Sequence, residues 1–123
     1  MIVTRDEIEN LPEYFHFHNP EHEDLALCFL ESMPQRVEFE LNLQRSSIQL
    51  IGSDEPFAII GFRREQEHIF VEFYSEEVMD HPRIVKSIES ESERFINRVI
   101  ITSADDIDAE LLNWITISSN MLA

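Results

Sequence analysis

Glycine is scarce in this sequence, which contains only Gly52 and Gly61. Loops that cradle phosphates and dinucleotide-binding fingerprints need several closely spaced glycines, because their backbone must turn sharply and approach the ligand closely. Two separated glycines cannot supply either motif. The sequence therefore argues against nucleotide chemistry of the usual kinds.

Cysteine and long apolar runs are also lacking. Cys28 is the single cysteine, which excludes an intramolecular disulfide, and no positively charged and apolar segment opens the chain as a secretion signal would. No apolar run approaches the roughly 18 residues that a membrane-spanning helix needs. We therefore expect a cytoplasmic protein without a membrane span.

Positive charge is the third scarcity. Nine Lys and Arg residues stand against 25 Asp and Glu residues, which gives a net charge of -16, and the longest basic run is the Arg63-Arg64 pair. Nucleic acids and anionic membranes are bound by clustered basic residues, so we expect no direct binding to either. The acidity fits a solvated surface that keeps the protein soluble. An acidic decoy of a nucleic-acid-binding protein is an alternative.

The size and the apolar content predict one domain. A chain of 123 residues with 43% hydrophobic residues has the usual dimensions of a single globular domain. A chain of this mass buries roughly two-thirds of the surface that its unfolded form exposes. We therefore expect residues 1–123 to form one acidic domain, a monomer or a homodimer, whose core needs no structural metal or other cofactor.

Helices are predicted at both ends of the chain. The capping-box pattern of residues 4–7 starts a short helix that should end near Leu11-Pro12. A second helix is expected over 20–33, where apolar residues recur at helical spacing after Asn19-Pro20. A C-terminal helix follows the start signal at 103–106 and should cover one face of a sheet. Its apolar stripe includes Trp114, which we expect in the core.

Between these helices the hydrophobic period changes to two, which is typical of strands with one wet face. The predicted strands are 37–42, 48–51, a hairpin of 57–64 with 68–74, and 94–102; the segment 83–88 is either a short strand, which we favour, or a turn of helix. Connections of hairpin length cannot form parallel crossovers. The predicted fold is therefore a two-layer α+β domain, with a mostly antiparallel sheet of about five strands and the N-terminal and C-terminal helices packed on it.

One histidine-rich segment is a weak candidate for a metal site. In an extended segment His16 and His18 would point to the same side, so that both imidazoles could approach one ion. We favour exposed histidines in a loop before the second helix, and we therefore predict no metal. A small metal-dependent or hydrolase-like enzyme that uses these two residues is the alternative function.

Asn97 is the irregular residue of the last predicted strand. It shares a face with Phe95, Val99 and Ile101, so a polar amide points where the core should be. A buried amide must be hydrogen-bonded. Its partner is either the backbone or a ligand in a small pocket.

Three segments of the C-terminal part are distinctive, namely PRI at 82–84, RFINRV at 94–99 and TSADDIDAELLNWI at 102–115. In their order and sequence they resemble a bacterial family of unknown function, some of whose members carry the label "predicted transport protein". Family members are similar in having a His-His or His-Arg pair on the strand, and Asn97 stands where the first histidine is most often found. The resemblance supports the fold, implies Arg45 and Arg98 as the nearest basic residues, and brings no established reaction.

These observations favour a small binding or accessory domain over an enzyme. Its expected partner is a small anionic ligand or a protein, and no catalytic residue is predicted. Arginine suits an anionic ligand because its planar guanidinium binds carboxylate or phosphate in a bidentate manner. We therefore predict that Arg45, Asn97 and Arg98 bind the ligand.

Overall fold

The computed structural model describes residues 2–17, 22–62, 68–90 and 93–122. Its strands are β1 Ile2–Thr4, β2 Glu40–Leu43, β3 Ser47–Ile51, β4 Pro56–Phe62, β5 Ile69–Ser75, β6 Ile84–Glu89 and β7 Phe95–Ile101. Its helices are α1 Leu11–Phe17, α2 Glu23–Ser32 and α3 Ala109–Met121, with 3₁₀ helices at Arg5–Asn10 and Ala104–Asp106. Within these described residues, no helix is both long and apolar enough to cross a bilayer.

The strands form one antiparallel sheet in the order β1-β2-β3-β4-β5-β7-β6. Most neighbours in the sheet are also neighbours along the chain. Where the connection between two such strands is short, the strands must be antiparallel. The predicted two-layer α+β fold is confirmed. The sheet has seven strands rather than about five, and the pairing of Ile2–Thr4 with β2 was not predicted.

The core lies between the helices and one face of the sheet. On that face Ile60, Val71 and Val99 are paired across three strands and are at most 1% exposed. Leu111 and Ile115 of α3 are fully buried in the same hydrophobic cluster. In the period-two pattern that predicted the strands, the apolar residues thus point to this covered face and the residues between them point to the open face.

The first helix differs from its prediction. The expected end at Leu11-Pro12 is instead the start of α1, which follows the 3₁₀ helix Arg5–Asn10. The predicted capping box at Thr4 and Glu7 is present, with the amide of Thr4 donating to Glu7 Oε1 at 3.3 Å. Proline is tolerated in the first turn of a helix, because the N–H that it lacks has no intrahelical acceptor there.

The strand predicted over 37–42 begins its ladder only at Glu40. The guanidinium of Arg5 donates to the carbonyl oxygen of Pro34 at 2.7 Å and also to that of Val37. These bonds satisfy main-chain acceptors in a segment that lacks a sheet partner. Val37 is nevertheless buried, as the alternation predicted.

A side chain from α3 completes the sheet where β4 is irregular. The register between β3 and β4 shifts at Leu50/Ile51. The hydroxyl of Ser118 donates to the carbonyl oxygen of Phe57 at 2.7 Å and accepts the amide of Tyr74 at 2.9 Å. Ser118 is fully buried. Its one hydroxyl oxygen, with these two bonds, takes the place of a direct ladder bond between β4 and β5.

The open face carries a small aromatic and ionic group. The ring of Phe70 covers Gly61, its partner on β4, and the guanidinium carbon of Arg98 lies 4.1 Å from the centre of that ring. Arg98 also pairs with Glu72 at 3.1 Å. These contacts leave the two charged side chains only 16% and 17% exposed.

The β6 edge of the sheet is protected against further pairing. Its register shifts between Ile84 and Lys86, and Lys86 is exposed. A bulge and a lysine are devices by which edge strands avoid pairing with other chains. The exposed Val85 and Ile88 of this strand therefore lie on an edge that is protected against pairing with another chain.

Candidate cleft and predicted site residues

Asn97 is fully buried and its amide is hydrogen-bonded within the protein. Its Oδ1 accepts the hydroxyl of Ser87 at 2.6 Å, and its Nδ2 donates to Ser75 Oγ at 2.9 Å and to the carbonyl oxygen of Phe73 at 3.4 Å. These partners lie on β5 and β6, the two strands beside it. The amide thus joins three strands, which accounts for a polar residue on the core face.

The structure does not bring the three predicted ligand-binding residues together. Arg98 points to the open face, away from Asn97, and pairs with Glu72. Arg45 is exposed in the connection between β2 and β3, and β7 lies three strands beyond β3. At about 4.8 Å between neighbouring strands, that separation is roughly 14 Å. Ligand binding by these residues stays a prediction, but they do not share one pocket.

The metal hypothesis assumed an extended segment around His16 and His18. His16 lies in α1, so the two-residue alternation that would align both imidazoles does not hold there. The side chain of His16 and the whole of His18 lie outside the described residues. In the part of the chain that the structure describes, no three His, Cys, Asp or Glu residues gather as metal ligands would.

His81 belongs to a group that sequence reasoning missed. Its ring lies edge-on to Trp114, with 5.0 Å between the centres, and its Nε2 is 3.5 Å from Glu110 Oε2. Its Nδ1 accepts the amide of Arg83 at 3.1 Å. The group could not be recognised in the sequence, because Trp114 and Glu110 belong to the distant α3.

Arg83, two residues after His81, binds the segment before β6 to the start of α3. Its guanidinium donates to Asp108 Oδ1 at 2.8 Å, to Glu110 Oε1 at 3.1 Å and to the carbonyl oxygen of Asp106 at 2.6 Å. Burial acts to lower the pKa of Arg83, but the bonds to the two carboxylates raise it overall. The pKa of Asp108 is lowered, first by the amide of Leu111 and then by Arg83. We interpret this group as structural: it holds the segment before β6 against the start of α3.

A cleft of about 480 Å³ lies beside the segment that leads into β2. Three parts of the chain line it, namely this segment, the turn after β3 and the last turns of α3. The lining residues are Arg36, Val37, Glu38, Gly52, Ser53, Thr116, Ser119 and Asn120. A second cleft of about 440 Å³ shares Val37, Glu38 and Gly52 with it and is also lined by Arg5.

Arg36 is distinguished by what its guanidinium lacks. It has neither a hydrogen bond nor an ion pair within the described residues, although the protein has 25 carboxylates for 9 basic residues. Other arginines have partners, namely Arg5, Arg83, Arg94 and Arg98. Lys86 also lacks a partner in the described part of the chain, but it lines neither cleft. The cleft thus contains a cation that is available to a ligand.

Arg36 was not predicted as a site residue. The one signal in the sequence is a basic residue in the turn after Pro34, between a helix and a strand. The cleft depends on packing the segment 36–38 against 52–53 and 116–120. Local periodicity carries no information about such distant contacts.

No protein-family model matches this chain, and no curated protein or solved structure matches it. The resemblance of the C-terminal part to a bacterial family of unknown function therefore stays a prediction.

Proposed function

We propose that this protein is a binding domain that holds a small, carboxylate-bearing molecule in the cleft at Arg36. The observation that carries the proposal is an arginine that lines a cleft without a partner among the described residues of an acidic protein. A guanidinium offers a planar fork of N–H donors that matches a carboxylate. The proposal keeps the expected class of ligand and moves its site from Asn97 to Arg36.

The remaining lining residues suit binding. Ser119 and Asn120 add a hydroxyl and an amide from the end of α3, and neither makes a side-chain hydrogen bond within the described residues. The cleft volume lies within the range of roughly 300–1,000 Å³ that small-molecule sites occupy. The described lining residues include one carboxylate and neither an imidazole nor a thiol. This set favours recognition over acid–base or nucleophilic catalysis.

The test is a titration of the ¹⁵N-labelled protein with acetate, which has a single carboxylate, and with N-acetyl-L-glutamine, followed by amide chemical shifts. Saturable shifts should centre on 36–38, 52–53 and 116–120. Arg36→Gln should weaken binding about tenfold or more, as the loss of a hydrogen bond to a charged group does. Arg45→Gln removes the same charge from an exposed turn and should leave binding unchanged.

Two results would contradict the proposal. One is the absence of saturable shifts around the cleft with both compounds and with unmodified L-glutamine. The other is equal weakening by Arg36→Gln and Arg45→Gln, which would indicate a general effect of charge. Weakening by Arg45→Gln alone would support the site predicted from the sequence.

A further inference from the structure

The cleft at Arg36 also contains negative charge. Glu38 lines it, is exposed, and is separated from Arg36 only by the buried Val37. Glu38 makes neither a hydrogen bond nor an ion pair within the described residues. The cleft therefore offers one unpaired cation and one unpaired anion, two residues apart.

The α3 side of the cleft also favours positive charge in a ligand. Ser119 and Asn120 belong to the last turn of α3, which contains no basic residue. The C-terminal end of a helix bears the negative end of its dipole, and it attracts cations. Besides the positive group of Arg36, the cleft thus contains two sources of negative potential, Glu38 and the end of this helix.

The net charge of the whole protein also disfavours a ligand that carries only negative charge. With a net charge of -16, the protein repels a simple anion at long range. A ligand without net charge does not meet this repulsion, yet its carboxylate still binds the guanidinium at short range. The electrostatics therefore disfavour a dicarboxylate and favour a ligand with charges of both signs.

We propose that the ligand of this cleft is an α-amino acid in its zwitterionic form, with its carboxylate on Arg36 and its ammonium group on Glu38. The inference rests on the proposed function and adds the class of ligand. A dicarboxylate would place its second negative charge beside Glu38 and the end of α3. An amine without a carboxylate would leave Arg36 unpaired beside a positive charge. The ammonium group then lies between Glu38 and the end of α3, and the polar groups of Ser119 and Asn120 suit a polar side chain of the amino acid.

Three probes separate the contributions of the two charges. L-Glutamine carries both, N-acetyl-L-glutamine lacks the ammonium group, and L-glutaminamide lacks the carboxylate. Amide-shift titrations of the wild-type protein should show that L-glutamine binds about tenfold or more tightly than either derivative, because each derivative loses one charged hydrogen bond. The wild-type comparison does not depend on the folding of any variant.

Variants then assign the two charges to residues. Glu38→Gln should weaken the binding of L-glutamine about tenfold and remove its advantage over N-acetyl-L-glutamine. Glu89→Gln makes the same change of charge at an exposed position on β6, and it should keep that advantage. Arg36→Gln should remove the advantage of L-glutamine over L-glutaminamide.

The outcomes distinguish this inference from the proposed function. If N-acetyl-L-glutamine binds as tightly as L-glutamine and Arg36→Gln weakens both, the amino-acid inference is overturned and the carboxylate site stands. If Glu38→Gln leaves the preference for L-glutamine intact, the inference is also overturned. If L-glutaminamide binds as tightly as L-glutamine, or none of the three compounds shifts the cleft residues saturably, the carboxylate site and the inference both fail.

Discussion

The ring of Phe70 covers Gly61 across the ladder of β4 and β5, where the two residues are directly paired. A Cβ added to Gly61 would overlap this ring. The ring cannot move without cost, because Arg98 lies over it and is held by Glu72. Glycine is required here by the space above the strand rather than by the backbone angles.

Gly61→Ala should therefore lower the free energy of unfolding by roughly 1–3 kcal/mol, the usual cost of overpacking. Urea denaturation of the wild type and the variant measures this difference. In a Phe70→Ala background the same substitution should cost less, because the obstructing ring is gone. Equal costs in the two backgrounds would show that Phe70 is not the obstacle.

Trp114 is half-buried, whereas the sequence placed it in the core. Its ring stacks on Phe73 with 5.8 Å between the centres, and it also contacts His81 and Arg83. The helical stripe was predicted correctly, since Leu111 and Ile115 are buried. Trp114 lies at the margin of this stripe, where polar groups of another segment cover part of its ring.

Trp114→Ala should destabilise the protein by roughly 2–3 kcal/mol, less than the 3–5 kcal/mol typical of fully buried aromatic residues. Trp114→Phe should recover part of this loss, because a smaller ring can still stack on Phe73. Thermal and urea unfolding provide the comparison. Unchanged stability in Trp114→Ala would contradict the packing of α3 on β5.

Asp106 joins the 3₁₀ helix Ala104–Asp106 to the residues that follow β7 through several hydrogen bonds. Its Oδ2 accepts the amide of Thr102 at 2.9 Å, the hydroxyl of Thr102 at 3.0 Å and the amide of Ser103 at 3.2 Å. The amide of Thr102 is the largest cause of the lowered pKa of Asp106. Because this pKa is depressed in the folded state, the stabilisation is present above the ordinary range of aspartate, near pH 4, and is lost as pH falls through the lowered value.

Asp106→Asn should therefore reduce stability at neutral pH and flatten the loss of stability below about pH 4. Urea unfolding at a series of pH values from neutral to acid measures both effects. Asp105→Asn removes a neighbouring exposed charge that has no part in these bonds, and it serves as the control. If the free energy of unfolding of Asp106→Asn fell as steeply below about pH 4 as that of the wild type, the titration of Asp106 would not contribute to acid destabilisation.

Most of the sheet could be predicted because its pattern is local. Ile69, Val71 and Phe73 alternate with less buried neighbours, and the same alternation places them on the covered face of β5. The end of the first helix was wrong because Pro12 was taken as a breaker, although the first turn of a helix accepts proline. β1 was missed because three residues are too few for an alternating pattern to be recognised.

The candidate site could not be predicted in the same way. Asn97 was identified as anomalous from its register, and its burial was correctly anticipated, but Ser75 and Ser87 as partners depend on the pairing of three strands. The cleft at Arg36 requires Asn120, more than eighty positions away, to pack beside it. Such positions are determined by tertiary packing between distant parts of the chain, and the local periodicity of a single sequence does not reveal which parts pack together.

The single oxygen of Ser118 gives the sheet a dependence on α3 that amide hydrogen exchange can detect. The amide of Tyr74 is bonded to this hydroxyl rather than to the neighbouring strand. When α3 moves away, the amide loses its acceptor even if β5 keeps its other bonds. Its exchange rate should therefore follow local opening of the helix, whereas a β5 amide bonded within the ladder follows unfolding of the sheet. One backbone proton in a central strand thus reports the stability of a helix on another layer.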